Sequence, residues 1–214
     1  MKVVGLGAGG HARVVVDIAR RLPDVEVVGL LDPDSTRWGT LHAGVPILGG
    51  DDLLGTLAVD GAFVGIGGVS SNAGRRRACA RVRAAGLALV SLVHPSAVVG
   101  ADVCFGEGVT VMGGVVINPS VVLGEGVIVN TGAVVEHDCR LEAYAHLCPR
   151  SVIGGGVVVG EEAFVGIGAT VIQAVRIGAR AVVGAGAVVV RDVDDDTLVV
   201  GCPARSVRRL DSGR

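Results

Sequence analysis

Two hydrophobic periods run through the sequence. From residue 93 onward an apolar side chain recurs at every sixth position, from Val93, Val99, Phe105 and Val111 through to Val183 and Val189, and none of these positions is polar. Four residues after each stands a small or β-branched one, Ala97, Val103 and Val109 through to Ala187 and Val193. A six-residue period with one large and one small inward position predicts a parallel β-helix of hexapeptide repeats, whose stacked coils bury a continuous column. With three hexads per coil the stretch makes between five and six coils, each rising about 4.8 Å, the spacing of neighbouring strands. Gly, Asn or Glu often follows the large residue (Gly100, Gly106, Asn118, Gly124, Asn130), and that position is expected to form the corner, where positive φ is tolerated.

The first ninety residues have a different texture. An apolar run at 2–6, a glycine turn at 7–11 and a helical pattern at 12–21 with Val14, Val15, Ile18 and Leu22 apolar are followed by a buried strand at 25–31. A turn-rich stretch around Pro33, Pro46 and Asp51-Asp52 leads to a strand at 62–66, a helix at 75–85 and a strand at 87–93. This alternation predicts a small parallel sheet in an α/β, Rossmann-like βαβ unit. The expected organisation is therefore a Rossmann-like domain at 1–92, the β-helix at 93–194 and a tail at 195–214. The tail leaves the period at Asp194-Asp195-Asp196, and its 199–205 segment is expected to fold back over the last coil as a cap.

Composition narrows the chemistry. Half of the 214 residues are hydrophobic but only 2% are aromatic, and the formal charge is −2, which argues against nucleic-acid binding: no basic field and few stacking platforms are present. Glycines and charges interrupt every apolar run short of the roughly 18 residues that a membrane helix needs. Met1-Lys2 leads directly into the first strand, without the pattern of a signal peptide. Cys79, Cys104, Cys139, Cys148 and Cys202 are odd in number and lack CxxC spacing, so they are read as reduced thiols of a cytoplasmic protein.

Two segments can carry chemistry. Gly5-x-Gly7-x-x-Gly10 follows a strand and precedes a helix, with Asp32 about twenty residues on, the pattern of a dinucleotide-binding turn. The sheet ends too soon for a second half, so a nucleoside diphosphate fits this unit better than a nicotinamide cofactor. The alternative is that these glycines only allow close packing of strand on helix. Gly9, Gly10 and His11 would face the ligand at the helix N-terminus, where backbone N–H groups hold anionic oxygens. His42 and His94 are assigned ordinary structural roles.

The second segment is Glu136-His137-Asp138-Cys139, a charged cluster between inward positions of a solenoid otherwise poor in charge. His137 should point outward, with Asp138 able to orient and polarise it as a general base. Gly155 stands one coil further on the same face, about 4.8 Å away, where its N–H could steady a carbonyl oxygen. His146 belongs to a different corner; packing of parallel solenoids could bring it to His137. Cys148 has no base in sequence and is read as a turn residue rather than a nucleophile.

The hexads, the EHDC block, Tyr144-Ala145-His146, Gly9-Gly10-His11 and the closing Val200-Gly201-Cys202-Pro203-Ala204 together resemble the NeuD/PglD-type sugar acetyltransferases over nearly the whole chain. The resemblance implies a left-handed β-helix, a homotrimer, and acetyl-CoA bound between neighbouring solenoids, with no metal. By position it makes His137 the base and Asp138 its partner. It places His146, Gly155, Gly166, Ile167, Ala185 and Pro203 along acetyl-CoA, and Gly9, Gly10, His11 and Asp32 at the acceptor nucleotide. The activity implied is N-acetylation of a nucleotide-linked amino sugar. Three rivals are O-acetylation of a sugar or small alcohol, a non-catalytic nucleotide-sugar-binding solenoid, and a zinc-dependent hydratase, which needs three histidines where only His137 and His146 are available.

Overall fold

The computed structural model describes residues 1–68 and 71–210. Strand β1 (Lys2–Leu6) is buried along nearly its whole length because it lies inside a sheet covered on both faces. It is followed by α1 (Gly10–Arg20), β2 (Glu26–Leu31), β3 (Leu41–His42), β4 (Val45–Gly49), β5 (Gly61–Val64), α2 (Ala73–Ala84) and β6 (Ala88–Leu89). The sheet order is β3-β4-β2-β1-β5-β6, parallel except for the β3–β4 hairpin. That hairpin occupies the stretch expected to be turns alone. The strand expected over 87–93 is divided. Ala88–Leu89 closes the sheet beside β5, whereas Leu92–Val93 pairs with Thr110–Val111 as the first solenoid strand. Ser91 marks the crossover: its hydroxyl accepts from Val109 N–H and donates to the Gly106 carbonyl.

From Leu92 the chain winds as a left-handed parallel β-helix of two-residue strands on three faces. Each strand pairs with the one a full coil on, as Ile128 does with His146 and Val129 with Leu147. The inward positions form one buried column from Val109 to Val199. Val99 and Phe105 are the exception, 38% and 40% exposed, because no coil lies beneath the first one.

The corner assignment needs correcting. Positive φ falls three residues after the large aliphatic, at Asp102, Gly108, Gly114, Ser120 and their equivalents to Gly186, and not at the position immediately after it. Gly100, Gly106 and Gly124 stand at that earlier position for another reason. A Cβ there would lie 2.7 Å from a backbone nitrogen of the next coil. The tail forms strands Thr197–Val200, parallel to Val182–Val183, and Arg205–Arg209, antiparallel to it, while Ala204 packs on the last coil.

Helix α2 seats the N-terminal unit on the solenoid. Arg76 pairs with Glu162 at 2.8 Å, and Arg83 bridges Glu107 and Glu125 at 2.9 and 2.7 Å. No helix among the described residues is long and apolar enough to cross a membrane.

Candidate active site

The glycine turn between β1 and α1 opens onto a cleft of about 340 Å³ lined by Gly7, Gly9, Gly10, His11, Asp32 and Gly67. Its glycines divide by role. A Cβ on Gly5 would strike Phe63 and Leu30, as close strand packing requires, whereas one on Gly9 or Gly10 would meet nothing within 4 Å. Packing therefore explains the first glycine and not the other two, which leave the N-terminus of α1 open to a ligand. Asp32 organises the turn: its carboxylate accepts from Ala8 N–H at 2.8 Å, from Asp34 N–H at 3.1 Å and from Arg37 at 3.2 Å. Arg37 also donates to the Ala8 carbonyl at 2.7 Å, and His42 Nε2 bonds the Gly9 carbonyl at 2.9 Å. His42 and Arg37 thus clamp the glycine turn from behind. Sequence reasoning gave His42 no such place and passed over Arg37, because only the β3–β4 hairpin carries His42 back to the turn.

A second cleft, about 530 Å³, runs along the solenoid and is lined by His11, Gly67, Asn130, His146, Cys148, Phe164, Gly166, Ile167 and Ala185 among others. His146 is almost fully buried, its ring 5.3 Å from Phe164 and 6.4 Å from His11. Hydrogen bonds fix its tautomer. Asn130 Oδ1 accepts from Thr131 N–H at 2.8 Å, which turns the amide nitrogen toward His146 Nε2 at 3.2 Å. Nε2 is then the acceptor and Nδ1 carries the proton. That Nδ1–H and His11 Nε2 are buried polar atoms without a hydrogen-bond partner among the described residues. Burial, helped by the Arg75 charge, pushes His146 down to about 2 and His11 to about 4, so both rings are neutral at physiological pH. Cys148 stands at the start of the turn after His146–Leu147, the turn setting expected. It is buried in the cleft wall, and burial pushes its thiol up to about 12, which leaves it without nucleophilic thiolate at neutral pH.

His137 stands at another corner, in the turn after Val134–Val135. Its Nδ1 is 2.7 Å from Asp138 Oδ2, and both side chains are exposed, at 62% and 65%. The Asp138 hydrogen bond raises the imidazole above its ordinary value. Asp138 can hold this pose because it occupies the positive-φ corner position. Gly155 lies directly beneath: a Cβ there would sit 2.7 Å from the His137 ring.

A family model described as the PglD N-terminal domain matches residues 2–82. Perosamine N-acetyltransferase from Caulobacter crescentus, solved with CoA and GDP-perosamine, is 45% identical over 97% of each chain with a TM-score of 0.90. The acetyltransferase domain of PglB from Neisseria gonorrhoeae FA1090, solved with acetyl coenzyme A, is 36% identical over 96% of this chain and 98% of that one, with a TM-score of 0.88. The chain belongs to the NeuD/PglD-type sugar acetyltransferases. WeeI from Acinetobacter baumannii AYE, at 24% identity and a TM-score of 0.86, shares the fold.

Within this acetyltransferase the residues singled out in the sequence fall into three groups. His11 joins the two clefts, Gly9, Gly10 and Asp32 belonging to one and His146, Gly166, Ile167 and Ala185 to the other. His137, Asp138 and Gly155 form a separate exposed ridge. Pro203 lines neither cleft and lies in the exposed turn between the two tail strands. Asn130 stood out in the sequence only as one of the residues that follow a large aliphatic position. Its role as the partner of His146, 16 positions on, needed the chain between them to wind nearly once around the solenoid.

Proposed function

We propose that the enzyme transfers the acetyl group of acetyl-CoA to the amino group of a nucleotide-linked amino sugar, directly and without an acyl-enzyme. The observation that carries this reading is that His11 lines both clefts. A nucleotide sugar on the glycine turn and a thioester along the solenoid would meet there. The perosamine and PglB relatives, which bind CoA with GDP-perosamine and acetyl-CoA respectively, support the same pairing.

In this reading the N-terminus of α1 holds the diphosphate and the buried His146 Nδ1–H donates to the thioester carbonyl oxygen. The amine nitrogen attacks the carbonyl carbon, and His137, polarised by Asp138, removes the amine proton. The tetrahedral oxyanion is stabilised by His146 and the Gly155 N–H. Its collapse breaks the C–S bond, and CoA leaves as a thiolate that takes up a proton.

The ridge and the clefts occupy different corners of one chain, so the reading includes a homotrimer in which one copy's His137 completes the cleft of the next. The solenoid face between those corners supports it. Its outward residues are Val98, Val116, Val134, Val152, Thr170 and Val188, an apolar stripe that suits contact with a second copy. Free thiols at all five cysteines suit a cytoplasmic setting.

The test is thiol release from acetyl-CoA with a panel of GDP-, UDP- and dTDP-linked amino sugars, with His137→Ala run in parallel. Turnover with one acceptor, lost in the variant, is expected. Acetyl-CoA binding without turnover on any amine, but with turnover on a sugar alcohol, would replace N- by O-acetylation, and absence of CoA binding would leave a binding protein.

A further inference from the structure

Arg75 is 1% exposed, yet its described hydrogen-bond partners are all neutral oxygens. Nε donates to the Gly126 carbonyl at 2.8 Å and Nη1 to Asn72 Oδ1 at 3.1 Å. Nη2 donates to the carbonyls of Tyr144 and, at 3.3 Å, of Ala145. Asn72 in turn donates to the carbonyls of Glu162 and Ala163 at 3.0 and 3.2 Å. Gly126, Tyr144 and Glu162 hold the same left-handed corner position on three successive coils. The Asn72–Arg75 pair therefore ties together the three turns that lead into Ile128, His146 and Phe164, which are paired in register on one face of the solenoid.

A domain tie alone does not call for a charge. Burying a guanidinium among neutral oxygens costs free energy that an uncharged donor such as Gln avoids. The planar fork does supply what Lys cannot, several donors fixed in one plane and able to span two coils.

We propose that Arg75 is a positioning residue for acetyl transfer, holding the register of His146 in the cleft and keeping a permanent positive charge behind it. The inference rests on the function proposed above. The consequence lies in the Asn130–His146 hydrogen bond, which requires an unprotonated Nε2 and so leaves the proton on the unpartnered Nδ1, the donor that the proposed function assigns to the thioester carbonyl oxygen. A second positive charge on that ring would break the bond. The titratable groups around His146 are His11 from α1, Arg75 from α2 and Cys148 from its own turn. The first two oppose protonation of His146, and the buried Cys148 thiol stays neutral.

Arg75→Gln and Arg75→Lys test this with two readouts. Steady-state kinetics of the full-length enzyme should show kcat reduced about tenfold or more in Arg75→Gln with the acceptor KM little changed, since misplacing a reacting group by a fraction of an ångström has effects of that order. Arg75→Lys, which keeps the charge and loses the fork, should fall between the two. Imidazole ¹⁵N spectra at pH 7 should show His146 as a single Nδ1–H tautomer in the native and Lys enzymes and as a mixture of the two neutral tautomers in Arg75→Gln, where the ring loses its register with Asn130. A lower thermal midpoint with unchanged kcat and an unchanged His146 tautomer would make Arg75 merely structural and overturn the proposal. If the native enzyme turns over no acceptor, the proposed function fails, and the ¹⁵N spectra still decide the role of Arg75. If Arg75→Gln does not fold, the Lys variant decides: native kcat and a native tautomer without the fork would refute the register claim.

Discussion

His137 and His146 have opposite settings, one exposed and raised by a carboxylate, the other buried beside a guanidinium and lowered. A base must be unprotonated to act, and Asp138 raises the pKa of His137, so the acid limb of kcat/KM should lie above pH 6.5. In Asp138→Asn that limb should move to lower pH while the maximal rate falls. His137→Ala should lower kcat by about 10²- to 10⁴-fold, the usual range for a general base, with acetyl-CoA affinity little changed. Gly155→Ala drives a Cβ into the His137 ring and should lower kcat while leaving the thermal midpoint close to native. The buried rings make a stability prediction instead. Their folded-state values lie below 6.5, so the unfolded chain takes up protons first, and stability present above pH 6.5 is lost as pH falls. Between about pH 6 and 5 the native protein should lose roughly 1.4 kcal/mol per pH unit more than His146→Gln, one proton's share of the linkage slope, as read by denaturant titration. His137 was legible in the sequence because charge is rare on this solenoid. The surroundings of His146 were not, because Asn130 reaches its ring only through coil stacking and Arg75 reaches the preceding Ala145 carbonyl only through domain docking.

The solenoid is the most legible element, since a six-residue period kept in phase has few alternatives to stacked coils. What the period hides is why each turn residue is there. Gly124 and Gly132 look equivalent in composition, yet the first avoids a backbone collision at 2.7 Å and the second takes φ of 66° with only Arg150 Cγ near, at 3.7 Å. Gly124→Ala should therefore destabilise by about 1–3 kcal/mol, the range for forced overpacking. Gly132→Asn, a residue suited to the left-handed region, should stay within about 0.5 kcal/mol. Thermal and chemical unfolding of the two variants side by side checks the distinction. The N-terminal unit was legible as alternating strands and helices, but the β3–β4 hairpin and the division at Ser91 were not. Two-residue strands carry almost no local period, and their hydrogen-bond partners lie on the far side of the turn or on the next coil.

At the scale of the molecule, two clefts meet at His11, and the His137–Asp138 ridge lies at another corner, across a stripe of valines. The rigid solenoid fixes the spacing of the cleft along it, and α2 fixes the glycine-turn cleft against that one through Asn72, Arg75, Arg76 and Arg83. One chain holds every part of the proposed site but does not bring the parts together. Subunit mixing tests this most directly. His137→Ala and His146→Gln chains, each inactive alone, are unfolded, refolded together and assayed for thiol release from acetyl-CoA with the acceptor sugar. If one copy's base serves the next copy's cleft, mixed trimers regain activity, with about a quarter of sites intact for random assembly around a cyclic ring. Mixed trimers, verified by mass, that remain as inactive as their parents would contradict the account.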